Sequence, residues 1–145
     1  MKIRAIKESD HEVISKLLGQ LGYPDTEKFI QNKIRALLLN PNEYLVVIED
    51  DEQQVFGFIS IHIIPQIALE GDFARISYFA VDENYRSMGA GKMLEEYCVQ
   101  VATERNCDRI ELHCHSRREK AHLFYYRQGY EESPKYLMKK ALNRY

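Results

Sequence analysis

Residues 78–92, Tyr-Phe-Ala-Val-Asp-Glu-Asn-Tyr-Arg-Ser-Met-Gly-Ala-Gly-Lys, read as a strand that runs into a glycine turn and leaves it as a helix. From Gly89 to about Arg105 the apolar residues Met93, Leu94, Tyr97, Cys98, Val101 and Ala102 recur at the helical period, with Lys92, Glu95, Glu96, Gln100 and Glu104 on the other side. At the start of such a helix the first N–H groups have no intrahelical partner, and the macrodipole adds about half a positive charge. Gly89 and Gly91 carry no Cβ, and Arg86 and Lys92 supply two cations beside them. A phosphate or pyrophosphate suits this cradle. The loop lacks the Lys-Ser/Thr ending of a Walker A motif, and Leu94 stands where a dinucleotide fingerprint has its third glycine. The glycines alone are equally consistent with a tight strand-to-helix connection whose cations are solvated.

With 145 residues the chain is expected to form one domain, residues 1–145, large enough for a real core. Its 45% hydrophobic and 29% charged residues are ordinary for a soluble protein, and no apolar run is long enough to span a bilayer. Met1-Lys2-Ile3-Arg4 leads straight into a charged segment without a signal peptide, so the cytoplasm is expected. A formal net charge of −2 argues against nucleic acid as a partner and weakly favours a cationic substrate. Cys98, Cys107 and Cys114 form no C-x-x-C pair and read as reduced packing groups.

In chain order, residues 3–6 form a short strand. Ser9-Asp10-His11-Glu12 has capping-box spacing for a helix to about Leu18. After a turn at 19–24, residues 26–39 form a second helix ending at Asn40-Pro41, and the two helices are expected to wall a cleft. Residues 44–48 and 55–64 read as a hairpin around the acidic turn 49–54, and after Pro65 and the loop 66–72 comes a long strand, 73–81. Beyond the helix from Gly89, residues 109–115 alternate Ile110, Leu112 and Cys114 against Glu111, His113 and His115. Ser116-Arg117-Arg118-Glu119 is a second capping box, opening a helix to Gln128 with Gly129 as its stop and Ala121, Phe124, Tyr125 and Gln128 inside; residues 136–142 read as a last strand. This order predicts an α/β (α+β) fold, a mixed, mostly antiparallel sheet with about four helices. The strand-helix-strand passage from Phe73 to Cys114 requires a right-handed crossover and a parallel pair, with the cradle at the carboxyl end.

Two motifs now stand together. Arg86-Ser87-Met88-Gly89-Ala90-Gly91 matches R/Q-x-x-G-x-G/A, and Ala121-His122-Leu123-Phe124-Tyr125-Tyr126-Arg127-Gln128-Gly129-Tyr130 matches A-x-x-F-Y-x-K/R-x-G-F/Y. Both resemble the GNAT family of N-acetyltransferases, as does the element order over nearly the whole chain. The resemblance implies six to seven strands with a splayed central parallel pair, and acetyl-CoA as cosubstrate. It implies the pyrophosphate on Arg86, Ser87, Met88, Gly89, Ala90, Gly91 and Lys92, and the pantetheine along Phe79, Ala80 and Val81. Ser116, Ala121, Phe124 and Tyr125 complete the implied coenzyme contacts. It also implies that the N–H of Phe79 faces the thioester oxygen, as an oxyanion donor, and that Tyr125 is the general acid for the departing sulfur.

Several members carry a glutamate in the middle of the strand before the loop, where this chain has Tyr78. The base therefore stays open among Glu70, Asp72, His62 and His113. His113-Cys114-His115 is a weak metal candidate, because alternation sends Cys114 to the other face, and no metal is expected. The stretch from Arg117 to Tyr130 resembles the aminoalkylphosphonate acetyltransferases, which would give Arg117 or Arg118 an anionic group to meet. The function implied is transfer of acetyl to a primary amine of a small molecule by direct attack in a ternary complex, neither motif holding a cysteine. The alternatives are a protein lysine or N-terminal acetyltransferase, and a coenzyme-A-binding sensor without turnover. Relatives are often dimers, which leaves a homodimer open.

Overall fold

A computed structural model describes residues 1–114, 117–133 and 137–141. The chain divides into two compact units, Met1–His113 and Cys114–Tyr145. The first unit holds β1 (Lys2–Ala5), α1 (His11–Leu21), α2 (Ile30–Leu38), β2 (Glu43–Glu49), β3 (Val55–Ile64), β4 (Phe73–Val81), α3 (Ala90–Glu104) and β5 (Arg109–Leu112). The second holds α4 (Glu119–Arg127).

The five strands lie in sequence order, antiparallel from β1 to β4 and parallel between β4 and β5. The expectation of six to seven strands is thus corrected to five among the described residues. Of the predicted tail strand 136–142, residues 137–141 are not strand, and Tyr136 and Leu142 lie outside the described residues. The hairpin, β4, the parallel crossover and the four helices stand as read.

The two sheet faces are covered differently. One face carries Val46, Ile48, Ile59, Ile61, Ile63, Ala74 and Ile76, all buried with Leu94, Cys98, Val101 and Ala102 of α3. The other packs Val47, Phe58 and Ala80 with Ile14, Leu17 and Leu18 of α1 and Ile30 and Ile34 of α2. Full burial of Leu17 or Leu94 is worth about 2 kcal/mol each. Glu95, expected on the solvent side of α3, is 4% exposed. It lies next to Leu94 and three residues before Cys98, so it falls on the buried stripe despite its charge.

Element ends follow local chemistry more than the expected caps. Ser9 does not cap the first helix; a 3₁₀ turn, Glu8–Asp10, precedes α1, and Asp10 Oδ2 accepts the Lys7 N–H at 2.8 Å. Asp10 is otherwise held by Arg4, which also reaches Glu49 Oε2 at 2.9 Å, and these bonds hold the Asp10 carboxyl below its usual range against the opposing effect of burial. α2 begins at Ile30 because residues 27–29 are turn, anchored by Thr26, whose hydroxyl meets that of Ser15 at 2.7 Å in the interior. α4 starts after Arg118; the expected cap Ser116, like His115, lies outside the described residues.

Candidate active site

β4 changes character halfway along. Ser60 pairs with Tyr78 but Ile61 pairs with Ile76, so Ser77 is an extra, bulged residue. On its other side β4 pairs with β5 only from Phe73↔Arg109 to Ile76↔Leu112. The parallel ladder therefore ends where the bulge begins. Residues 77–81 keep β3 on one side, and among the described residues no strand lies on the other. The resemblance expects its splay in this half of the strand, along Phe79, Ala80 and Val81.

At the carboxyl end of this half of β4 the chain makes the cradle. Ser87 (φ 70°) and Gly89 (φ 83°) are both left-handed, and the first bond into α3 runs from the Met93 N–H to the Gly89 carbonyl at 3.1 Å. Alternating left-handed residues ahead of a helix turn successive N–H groups toward one concavity, an anion nest. Ser87 thus takes a positive φ that non-glycine residues seldom adopt. A Cβ built on Gly89 meets no atom within 4 Å, so the space over the turn is open. Arg86, Met88 and Lys92 are exposed around it, and Lys92 Nζ approaches Glu96 at 3.9 Å. The residues present fit a pyrophosphate.

The turn is held from both sides by groups that sequence reading missed. Asp82, buried at the end of β4, accepts the Asn84 N–H at 2.9 Å and meets Lys16 Nζ of α1 at 3.1 Å. Gln20, one turn further along α1, accepts the Glu83 N–H at 3.1 Å. The Asn84 bond, with Lys16, holds the Asp82 carboxyl below its usual range against burial. On the other side Tyr85 stacks on Phe56 at 4.4 Å and donates to Asp50 Oδ2 at 3.1 Å. An Asp two residues before Asn84 is a recognisable Asx turn, but nothing in the sequence pairs it with Lys16.

The base candidates separate. Asp72 accepts the Gln66 N–H at 3.3 Å through its carboxylate and the Asp108 N–H at 2.8 Å through its carbonyl, so it is bound into its loop. Glu70 is exposed in the same loop; Phe73 and Phe79 are six residues apart on β4, about 20 Å, so neither acid is brought to the splay. His113 is exposed just past the end of β5. His62 faces Glu43 across β2 and β3, its Nδ1 against Glu43 Oε1. Tyr78, where the resemblance expects a glutamate, meets Tyr23 edge-on at 5.3 Å.

In the second unit α4 presents Phe124 and Tyr125 with ring centroids 5.4 Å apart, and Tyr125 packs edge-on against Tyr130 at 5.4 Å. Gly129 (φ 94°) ends the helix, with the Tyr130 N–H bonded to the Tyr125 carbonyl at 3.0 Å. Ala121 lies one turn before Tyr125. No group of three or more candidate metal ligands occurs among the described residues, and no described helix is long and apolar enough to cross a membrane.

The model of the acetyltransferase (GNAT) family matches residues 8–130. Among solved structures the chain is similar to a transcriptional regulator from Bacillus halodurans C-125, with 22% identity, a TM-score of 0.87, and coverage of 96% of this chain and 98% of that one. A GNAT family acetyltransferase of Staphylococcus aureus gives 20% identity and a TM-score of 0.78, covering 96% and 97%. Glucosamine-6-phosphate N-acetyltransferase from Arabidopsis thaliana gives 21% identity and a TM-score of 0.82, covering 97% of each chain. A search of curated protein sequences finds no match. At such identities the structural likeness establishes the fold.

Proposed function

The chain belongs to the acetyltransferase (GNAT) family, and on that premise we propose that it moves an acetyl group from acetyl-CoA to a primary amine of a small molecule by direct attack in a ternary complex. The observation that carries this is the left-handed pair Ser87 and Gly89 at the N-terminus of α3, at the end of the half of β4 that lies beyond its ladder with β5. Bound there, acetyl-CoA would supply an acyl thioester.

In this reading the N–H groups of residues 87–92 hold the pyrophosphate, with Arg86 and Lys92 offsetting its charge. Phe79, Ala80 and Val81 line the pantetheine, and the Phe79 N–H faces the carbonyl oxygen that gains charge. Tyr125 gives the sulfur its proton; its support is the Phe124-Tyr125 motif on α4 and a phenol pKa near 10. The balance is simple: a C–N bond forms, a C–S bond breaks, and the ammonium gives up two protons, one to solvent and one that replaces the proton Tyr125 passes to sulfur. A route through acetyl-cysteine is disfavoured, since neither motif holds a cysteine and Cys98 is fully buried, with burial pushing its thiol up to about 12. The two units together are read as one catalytic domain, in line with a family match that spans both. The narrower likeness to aminoalkylphosphonate acetyltransferases finds no support in the comparisons.

The test is calorimetric titration with coenzyme A, followed by a screen of primary amines for release of free thiol from acetyl-CoA. Micromolar binding with amine-dependent thiol release is expected. Absence of binding refutes the cradle, and binding without transfer to any amine refutes the enzyme.

A further inference from the structure

A row of charged side chains crosses four strands at one level. Glu43 is the Cα partner of His62, His62 of Arg75, and Arg75 of Glu111. Alternation places all four on the face away from α3, the face of Val47, Phe58 and Ala80. α1 and α2 pack on those three apolar residues, while the row stands at the other end, with side-chain exposures of 11% for Glu43, 36% for His62, 38% for Arg75 and 27% for Glu111.

On the α3 face Ile59, Ile61 and Ile76 are packed under the helix at 0%, 0% and 5% exposure, with Phe79 and Val81 half-buried beside them. The opposite face carries Tyr78, 40% exposed, with the charged row beyond it. A small amine coming over that face to the splay passes both. Tyr78 pairs with Ser60, and His62 is two residues further on the same face, about 7 Å away along the strand. That spacing suits transfer through one water.

Within the row the partners decide the roles. Arg75 Nε donates to Glu111 Oε1 at 2.8 Å, and its Nη2 meets the same oxygen, so this pair is closed on itself. His62 Nδ1 is a buried nitrogen that lies against the Glu43 carboxylate without an aligned hydrogen bond among the described residues. A small turn of the ring would aim an Nδ1–H at that carboxylate, and Nε2 would then keep its lone pair. Burial pushes the Glu43 carboxyl above its usual range, and His62 pulls it back. The charged and titratable groups facing His62 are Glu43 from β2 and Arg75 from β4, with Glu111 beyond Arg75 on β5 and the phenol of Tyr78 on the splay side.

We propose that His62, oriented by Glu43, is the general base that takes the proton from the acceptor ammonium, in the role that Tyr78 cannot fill. Nε2 receives the proton through a water and returns it to solvent, while the freed lone pair forms the C–N bond. His62 is then a catalytic residue and Glu43 a positioning residue. This rests on the acetyltransferase reading above.

The test measures kcat/KM for acetyl-CoA with a panel of primary alkylamines from pH 6 to 9.5, by thiol release, for the wild type, H62Q, E43Q, E43D and H113Q, with coenzyme A affinity by calorimetry for each. H62Q is expected to lose on the order of 100-fold at pH 7. The loss should shrink about tenfold per pH unit as the amine deprotonates unaided, with coenzyme affinity unchanged. E43Q should lose less and shift the acidic limb, and E43D should restore it. An unaltered H62Q profile, an equal loss at every pH, or a loss confined to H113Q overturns the assignment and leaves the acetyltransferase reading standing. A wild type that binds no coenzyme A, or that acetylates no amine, overturns both.

Discussion

Lys16 Nζ on α1 stands 3.1 Å from the buried carboxylate of Asp82 at the end of β4. Four residues along α1, Gln20 takes the Glu83 N–H, so one helix face fixes both the strand end and the first residue of the turn that precedes the cradle. Lys16→Met removes the ion pair and keeps the stem. With Lys16 61% exposed, the expected effect is a modest one, about threefold to fivefold weaker coenzyme binding without loss of fold, read by calorimetry and circular dichroism.

The same carboxylate sets a pH dependence. The Asn84 N–H bond holds Asp82 below its usual range, so its contribution is fully present above the ordinary Asp value of about 3.9 and is lost as the pH falls through its own lower value. Asp82→Asn should be less stable than wild type at pH 7, with the gap closing below about pH 4. Denaturant midpoints for the two proteins across that window check it.

Gly89 has open space over its missing Cβ and a φ of 83°. Gly89→Ala should cost about 1–2 kcal/mol of backbone strain, and Gly89→Val should in addition fill the nest and abolish coenzyme binding. Retained micromolar binding by a folded Gly89→Val protein would remove the cradle from the reading.

Tyr125→Phe keeps both ring contacts, with Phe124 and with Tyr130, and deletes only the hydroxyl. Turnover should fall at least about tenfold with coenzyme affinity nearly intact. Unchanged turnover would leave Tyr125 as a packing residue of α4.

Cys98 is fully buried with Glu95 nearby, and burial foremost pushes its thiol up to about 12, whereas Cys107 and Cys114 are partly exposed. Ellman's reagent at pH 8 should leave Cys98 untouched in the folded protein and titrate it only after denaturation. Mass spectrometry of alkylated peptides distinguishes the three.

The elements whose residues repeat with a clean period were readable before any coordinates. The α3 stripe, the 55–64 and 73–81 strands and the glycine turn all announce themselves locally, and so do the two motifs. What stayed hidden depends on partners far along the chain. Lys16 meets Asp82 across 66 positions by folding alone, and the Glu43–His62–Arg75–Glu111 row exists only once four strands are in register. Glu95 defeated the helix reading because a charge was assigned to water by type, while its position in the turn placed it inside. Ser9 looked like a cap, but Asp10 bonded to the Lys7 N–H ahead of it.

Ser77 leaves a further mark. Before it the even-numbered residues Ala74 and Ile76 turn toward α3, and after it the odd-numbered Phe79 and Val81 do. The identity of Ser77 is therefore free to drift while its presence is not: loss of that one residue would transpose Phe79 with Ala80 and Tyr78 with its neighbour, turning the two faces of that half-strand inside out. Descendants of this chain can vary the letter there, and only an insertion or deletion would misspell the strand.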